Sequence, residues 1–218
     1  ASDVYKRQIQ LFEKIPLKYA RGICKIGIPT ALQGMAYCMI SMVLTRMVSG
    51  FGAEAIATQR VGGQIESVSW NTADGFGAAL NAFIGQNYGA GKMDRVKKGY
   101  QASLWTVGIW GLFITFLFVC FPEPISRVFF HEPLAIATSV GYMIIIGFSE
   151  AFMSVELMTV GALSGLGKTH LCSVISITLT SARIPLAILL SGTTLGLLGI
   201  WWAPVSYTHL TLPTILLV

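Results

Sequence analysis

The chain has 218 residues, of which 54% are hydrophobic and only 11% charged, with a mean hydropathy of +0.67 and a formal net charge of +5. Soluble domains carry about 25% charged residues, so this composition excludes an ordinary water-soluble core and points to a polytopic membrane protein. The bases gather in short segments between apolar runs, which is not the continuous basic surface of a nucleic-acid binder.

In chain order, residues 1–8 read as a foreign, adapter-derived end, and Ala1 in place of Met is the start expected of a fragment. No signal peptide is expected, because the chain opens with charge rather than an apolar core. Residues 9–21 mix apolar and basic positions, the pattern of a connecting helix lying along the membrane interface. A bilayer span needs about 20 mainly apolar residues. Five segments meet that need, at 26–48, 56–84, 101–121, 134–163 and 171–191, and a partial sixth covers 195–204. The last stretch, 205–218, reads as a second adapter-derived end, where Tyr207-Thr-His-Leu-Thr-Leu-Pro-Thr214 breaks the helical character begun at Leu195. No weight is therefore placed on His209.

Loop charge sets the orientation. Lys6, Arg7, Lys14, Lys18, Arg21 and Lys25 precede the first span, Lys92, Arg95, Lys97 and Lys98 follow the second, and Lys168 follows the fourth. The positive-inside rule places the N-terminus and the 85–100 loop in the cytoplasm. Expected outside are Gly50 to Ala55, Phe121 to Pro133 and Gly192 to Gly196. The expectation is a multi-pass protein of the plasma membrane, the bacterial inner membrane, surrounded by lipid. Cys24, Cys38, Cys120 and Cys172 show neither close pairing nor metal-ligand spacing, so no disulfide, metal or cofactor is expected.

Four carboxylates fall inside the spans: Glu66, Asp74, Glu150 and Glu156. Each costs roughly 3 kcal/mol at the centre of a bilayer, so such groups persist where they meet a partner, a cavity or a substrate path. At about 100° per residue, Gln59, Glu66, Trp70, Asp74 and Asn81 share one stripe of the second span, opposite Val61, Ile65, Val68, Phe76, Ala79 and Phe83. That stripe reads as a cavity wall, with an interhelical hydrogen-bond seam as the alternative. Glu150 and Glu156, six residues apart, diverge by about 120°, so at most one looks into a given cavity. Arg183 is the base placed to pair with one of these acids, whereas Arg46 can snorkel to the interface. Tyr37, Trp70 and Phe152 offer aromatic surface to a cation.

Two glycine-rich stretches, Gly85-Gln-Asn-Tyr-Gly-Ala-Gly-Lys92 and Gly161-Ala-Leu-Ser-Gly-Leu-Gly-Lys-Thr169, imitate a phosphate-binding loop. That loop allows four residues between its first glycine and the Gly-Lys pair and follows a strand. Here five residues intervene and a membrane helix precedes each stretch. The glycines are expected to end helices instead. A membrane-embedded enzyme is disfavoured, because His131 and His170 fall in loops on opposite sides and no nucleophile–base pair appears at depth.

Several of these stretches resemble the second lobe of multidrug and toxic compound extrusion (MATE) transporters. They are Gly27-Ile-Pro-Thr-Ala-Leu-Gln33, Phe51-Gly-Ala-Glu-Ala-Ile-Ala57, Gly75-Phe-Gly-Ala-Ala-Leu80 and, most specifically, Ile84-Gly-Gln-Asn-Tyr-Gly-Ala-Gly-Lys-Met-Asp-Arg95 with Gly161 to Thr169. The resemblance covers residues 9–203. It implies an all-α fold, one six-helix lobe of two, and export of organic cations against inward H⁺ or Na⁺, with an N-terminal lobe as partner. A polysaccharide flippase of the same superfamily is the alternative. Some sodium-coupled relatives carry a carboxylate two turns into the first helix of this lobe. Here that region reads Gln33-Gly-Met-Ala-Tyr37, which leaves the coupling ion open.

Overall fold

A computed structural model describes residues 17–216, and among these the chain is helical throughout, without strands. The helices are α1 (Leu17–Val48), α2 (Ala53–Gly89), α3 (Met93–Cys120), α4 (Pro122–Phe129), α5 (Pro133–Gly165), α6 (Thr169–Ser181), α7 (Arg183–Ser191) and α8 (Leu197–Leu216), with a 3₁₀ turn at Ser49–Phe51. The foreign start expected over 1–8 and most of the interfacial helix expected over 9–21 lie outside the described residues. Its last part, 17–21, is the first turn of α1 and runs straight into the span.

Among the described residues, four segments are long and apolar enough to cross a bilayer: Leu17–Phe51, Met93–Cys120, Pro133–Gly165 and Thr169–Ser191. Helix α2 has 37 residues and rises about 55 Å, but its polar stripe keeps it out of that set. The expected 85–100 loop shrinks to residues 90–92, because α2 and α3 continue as helices beyond their apolar stretches. The expected single span 171–191 is broken at Ala182. Pro185 explains the break: it has no N–H for the Ser181 carbonyl, and its ring crowds that carbonyl. The turn between α3 and α5, expected outside, contains a helix the sequence reading missed, α4, whose Ser126 hydroxyl donates to the Ser139 hydroxyl of α5 at 2.9 Å.

The expected break after Leu195 to Ala203 does not occur. Helix α8 runs on to Leu216, with Val205 buried against Tyr142, Ile145 and Trp201 and His209 against Phe152, ring centroids 3.9 Å apart and planes tilted by 50°. Once neighbouring helices cover it, a helix with prolines and threonines can persist in an apolar bundle.

Both glycine-rich imitations of a phosphate loop are helix C-caps. Gly91 (φ 71°) and Gly167 (φ 79°) take the left-handed conformation. Around them, Lys92 N–H donates to the Asn87 carbonyl and Lys168 N–H to the Leu163 carbonyl, each at 2.9 Å. This six-to-one bond, with glycine at the reversal, is the Schellman motif.

Helix α5 holds the bundle together, packing on α2, α3, α4, α6 and α8. Helices α2 and α5 run parallel, since contacts climb both in step from Glu66–Tyr142 through Ser69–Glu150 to Gly77–Gly161 and Gly85–Gly165. Small residues let the two backbones close up. A Cβ on Gly161 would lie 2.5 Å from the Gly77 carbonyl oxygen, and one on Gly165 would lie 2.7 Å from that of Asn81. On one side Ala73, Leu80, Ile84, Val107, Met158 and Ala162 form the core of α2, α3 and α5. On the other, Ile40, Leu44, Val48, Ala187, Ile200 and Ala203 join α1, α7 and α8.

Candidate functional site: a carboxylate cavity between the two halves

A cavity of about 130 Å³ lies where these two halves face each other. Helix α1 contributes Tyr37, α2 Gln59 and Glu66, α5 Tyr142 and Ser149, α7 Arg183, and α8 Trp201 and Thr208. Polar groups converge there from both sides. The Tyr142 hydroxyl donates to Glu66 Oε2 at 3.1 Å, and its ring meets Trp201 edge-on, 5.1 Å between centroids. The Arg183 guanidinium lies over the Tyr37 ring at 5.5 Å. Gln59 donates to the Thr45 hydroxyl at 3.2 Å where α1 and α2 meet near the 3₁₀ turn.

Just behind the wall sits Glu150, fully buried. Its Oε2 accepts a hydrogen bond from the Ser69 hydroxyl at 2.6 Å, while its Oε1 is buried with no hydrogen-bond partner among the described residues. Glu66 is within electrostatic range of both Glu150 and Arg183. Glu66 and Arg183 therefore share a space large enough for several water molecules, with a second acid, Glu150, buried just behind its wall.

Four of the expected residues meet at this cavity: Tyr37, Gln59, Glu66 and Arg183. Neither Glu150 nor Glu156 lines it, although both are buried on α5. The expected stripe of α2 does not face one interior. Gln59 and Glu66 turn inward, whereas Trp70, Asp74 and Asn81 lie on the exposed surface of the chain. The cause is helical phase: the stripe is centred roughly 70° away from the buried seam of α2, so only its near edge reaches the bundle. Phe152 lies apart from the cavity, against His209. Sequence reasoning missed Tyr142, Ser69, Trp201 and Thr208. The one available signal was Tyr142, a phenol inside an apolar span, where a buried hydroxyl needs a partner.

The MatE family model matches residues 29–189. The probable multidrug resistance protein NorM of Thermotoga maritima is 32% identical over 211 residues, which is 91% of this chain and 44% of that protein. Among solved structures, a MOP-superfamily transporter from Pyrococcus furiosus shares the fold with a TM-score of 0.83 at 18% identity, covering 88% of this chain and 43% of its own. A Vibrio cholerae MATE transporter does so with a TM-score of 0.83 at 18% identity, covering 96% and 48%. The chain thus spans less than half the length of each.

Proposed function

Because the chain belongs to the MatE family of membrane transporters, we propose that it forms one lobe of a secondary active efflux antiporter of the bacterial inner membrane, exporting organic cations in exchange for H⁺ or Na⁺. The observation that carries this reading is the Glu66 carboxylate, hydrogen-bonded to Tyr142 in a shared cavity with Arg183 and backed by Glu150. An acid held at membrane depth beside a second acid gains from a proton or small cation, because neutralising one carboxylate relieves the repulsion between them.

The cavity, at about 130 Å³, is smaller than the roughly 300–1,000 Å³ of pockets that hold drug-sized molecules. It suits a proton with its waters or a single small ion. The organic cation then binds outside it, in a cleft bounded by Trp70, Asp74 and Asn81 and closed by the N-terminal lobe. Alternating access follows from two lobes rocking about a site near the bilayer midplane. Loading the cavity with the ion removes negative charge from this lobe, which weakens its hold on the cationic drug and couples the two fluxes.

The test is flux in proteoliposomes that hold the chain together with an N-terminal lobe. Export of ethidium should accelerate when an H⁺ or Na⁺ gradient is imposed in the opposite direction. Export indifferent to both gradients contradicts antiport. Ion-driven export by residues 17–216 alone, as monomers, contradicts the two-lobe reading.

A further inference from the structure

Well away from the carboxylate cavity, near the Lys92 turn, a groove runs along the outside of α3, lined by Lys98, Gln101, Ala102, Leu104 and Trp105. We propose that this groove is a binding site for an anionic phospholipid of the adjacent leaflet. The proposal stands apart from the antiport reading and does not depend on it.

Lys98, Gln101, Ala102 and Trp105 are spaced three, one and three residues apart, so they form one stripe of the helix. Ala102 leaves a dent between the longer side chains beside it. Trp105, 75% exposed, stands at the position where an aromatic ring marks the interface of a membrane helix. The same stripe continues as Ile109, Leu112 and Phe116, all exposed. From Lys98 to Leu112 the helix rises about 21 Å, close to half the roughly 40–45 Å thickness of a bilayer with its headgroups. A single lipid placed along this stripe therefore puts its phosphate at Lys98 and Gln101, its glycerol beside Trp105 and its acyl chain on Ile109 and Leu112.

Charge selects the headgroup. Lys92, Arg95, Lys97 and Lys98 crowd the start of α3, and Asp94 is the acid among them. The excess is positive, and every one of these residues is exposed. A basic side chain at a membrane surface favours an anionic lipid by about fivefold. A neutral apolar stripe would have no such preference. A soluble protein partner would not match the apolar track that leads from Trp105 toward the middle of the span.

The experiment is tryptophan quenching by brominated lipids in nanodiscs containing the full chain. The chain has five tryptophans, so the Trp105 signal is taken as the difference between the parent chain and Trp105→Phe. At equal mole fraction, brominated phosphatidylglycerol should associate with Trp105 about fivefold more strongly than brominated phosphatidylcholine. Lys98→Gln should remove most of that preference, whereas Lys18→Gln, an exposed base on α1, should leave it intact. A thermal melt confirms that each surface variant is folded. Equal quenching by the two lipids overturns the proposal. So does a preference that Lys18→Gln and Lys98→Gln reduce alike, since that is general charge attraction rather than a site.

Discussion

The ring of Tyr142 occupies the space that a side chain at Gly62 would fill. This absence of a Cβ on α2 lets α5 bring its phenol across to Glu66, one turn further along α2. The polar contact at the centre of the cavity thus depends on a residue that carries no chemistry of its own.

Gly62→Ala should therefore do two things. It should destabilise the lobe by about 1–3 kcal/mol, the usual result of overpacking, and it should displace the Tyr142 hydroxyl from Glu66. A lower melting temperature in detergent, together with an activity loss similar to that of Tyr142→Phe, is the expected result. A variant that melts and transports like the parent would show that Tyr142 has room to step aside.

Ser69 and Glu150 should be energetically coupled. The 2.6 Å bond to the fully buried Glu150 side chain should contribute about 0.5–1.5 kcal/mol, the usual net worth of an intramolecular hydrogen bond. In a double-mutant cycle with Ser69→Ala and Glu150→Leu, each of which removes one partner of the bond, the two losses should fall well short of adding. Strict additivity of the melting shifts would mean that the bond contributes nothing.

The seam between α2 and α5 predicts a contrast between two glycines. Gly161→Ala places a Cβ 2.5 Å from the Gly77 carbonyl oxygen, on a backbone with little freedom to yield, while Gly34→Ala meets nothing within 4 Å. The first should cost about 1–3 kcal/mol, and the second should be neutral or gain up to about 1 kcal/mol from helix propensity. Thermal melts of both variants, prepared side by side, check the order.

Topology is tested by labelling. In a chain whose four cysteines are replaced by serine, Lys92→Cys should resist an impermeant thiol reagent in intact cells and react after lysis. Lys92 is exposed at the α2–α3 turn, so access depends on the side of the membrane alone. Labelling in intact cells would invert the orientation.

The sequence reveals the helices more readily than it reveals the neighbours of each helix. The span ending at Val48 and the glycine caps at Gly91 and Gly167 are local features, set by bilayer thickness and by left-handed backbone. The stripe of α2 is equally local, and Gln59 and Glu66 do share it. Periodicity, however, does not say what the stripe faces. Asp74 lies about 80° round the helix from Glu66, and that rotation separates the cavity from the surface. Tyr142 and Ser69 find their acids across 76 and 81 residues of chain, a distance no local pattern spans. Helix α8 misleads in the opposite way. The run from Tyr207 to Thr214 reads as a break, whereas packing of Val205 and Thr208 inside the bundle keeps α8 helical through it.

In the proposed antiporter, Glu66 is the carboxylate that carries the coupling ion. The deciding measurement compares gradient-driven ethidium export by Glu66→Gln and Asp74→Asn in the two-lobed transporter, at matched protein levels. Glutamine keeps the size and a hydrogen-bond acceptor for Tyr142 but carries neither a titratable proton nor a charge. Acceleration by the H⁺ or Na⁺ gradient should fall at least about tenfold in Glu66→Gln, equivalent to some 1.4 kcal/mol of lost coupling. It should persist in Asp74→Asn, whose effect should appear in apparent affinity for the drug. Full gradient-driven export by Glu66→Gln would contradict the account and leave the cavity as a structural seam between helices.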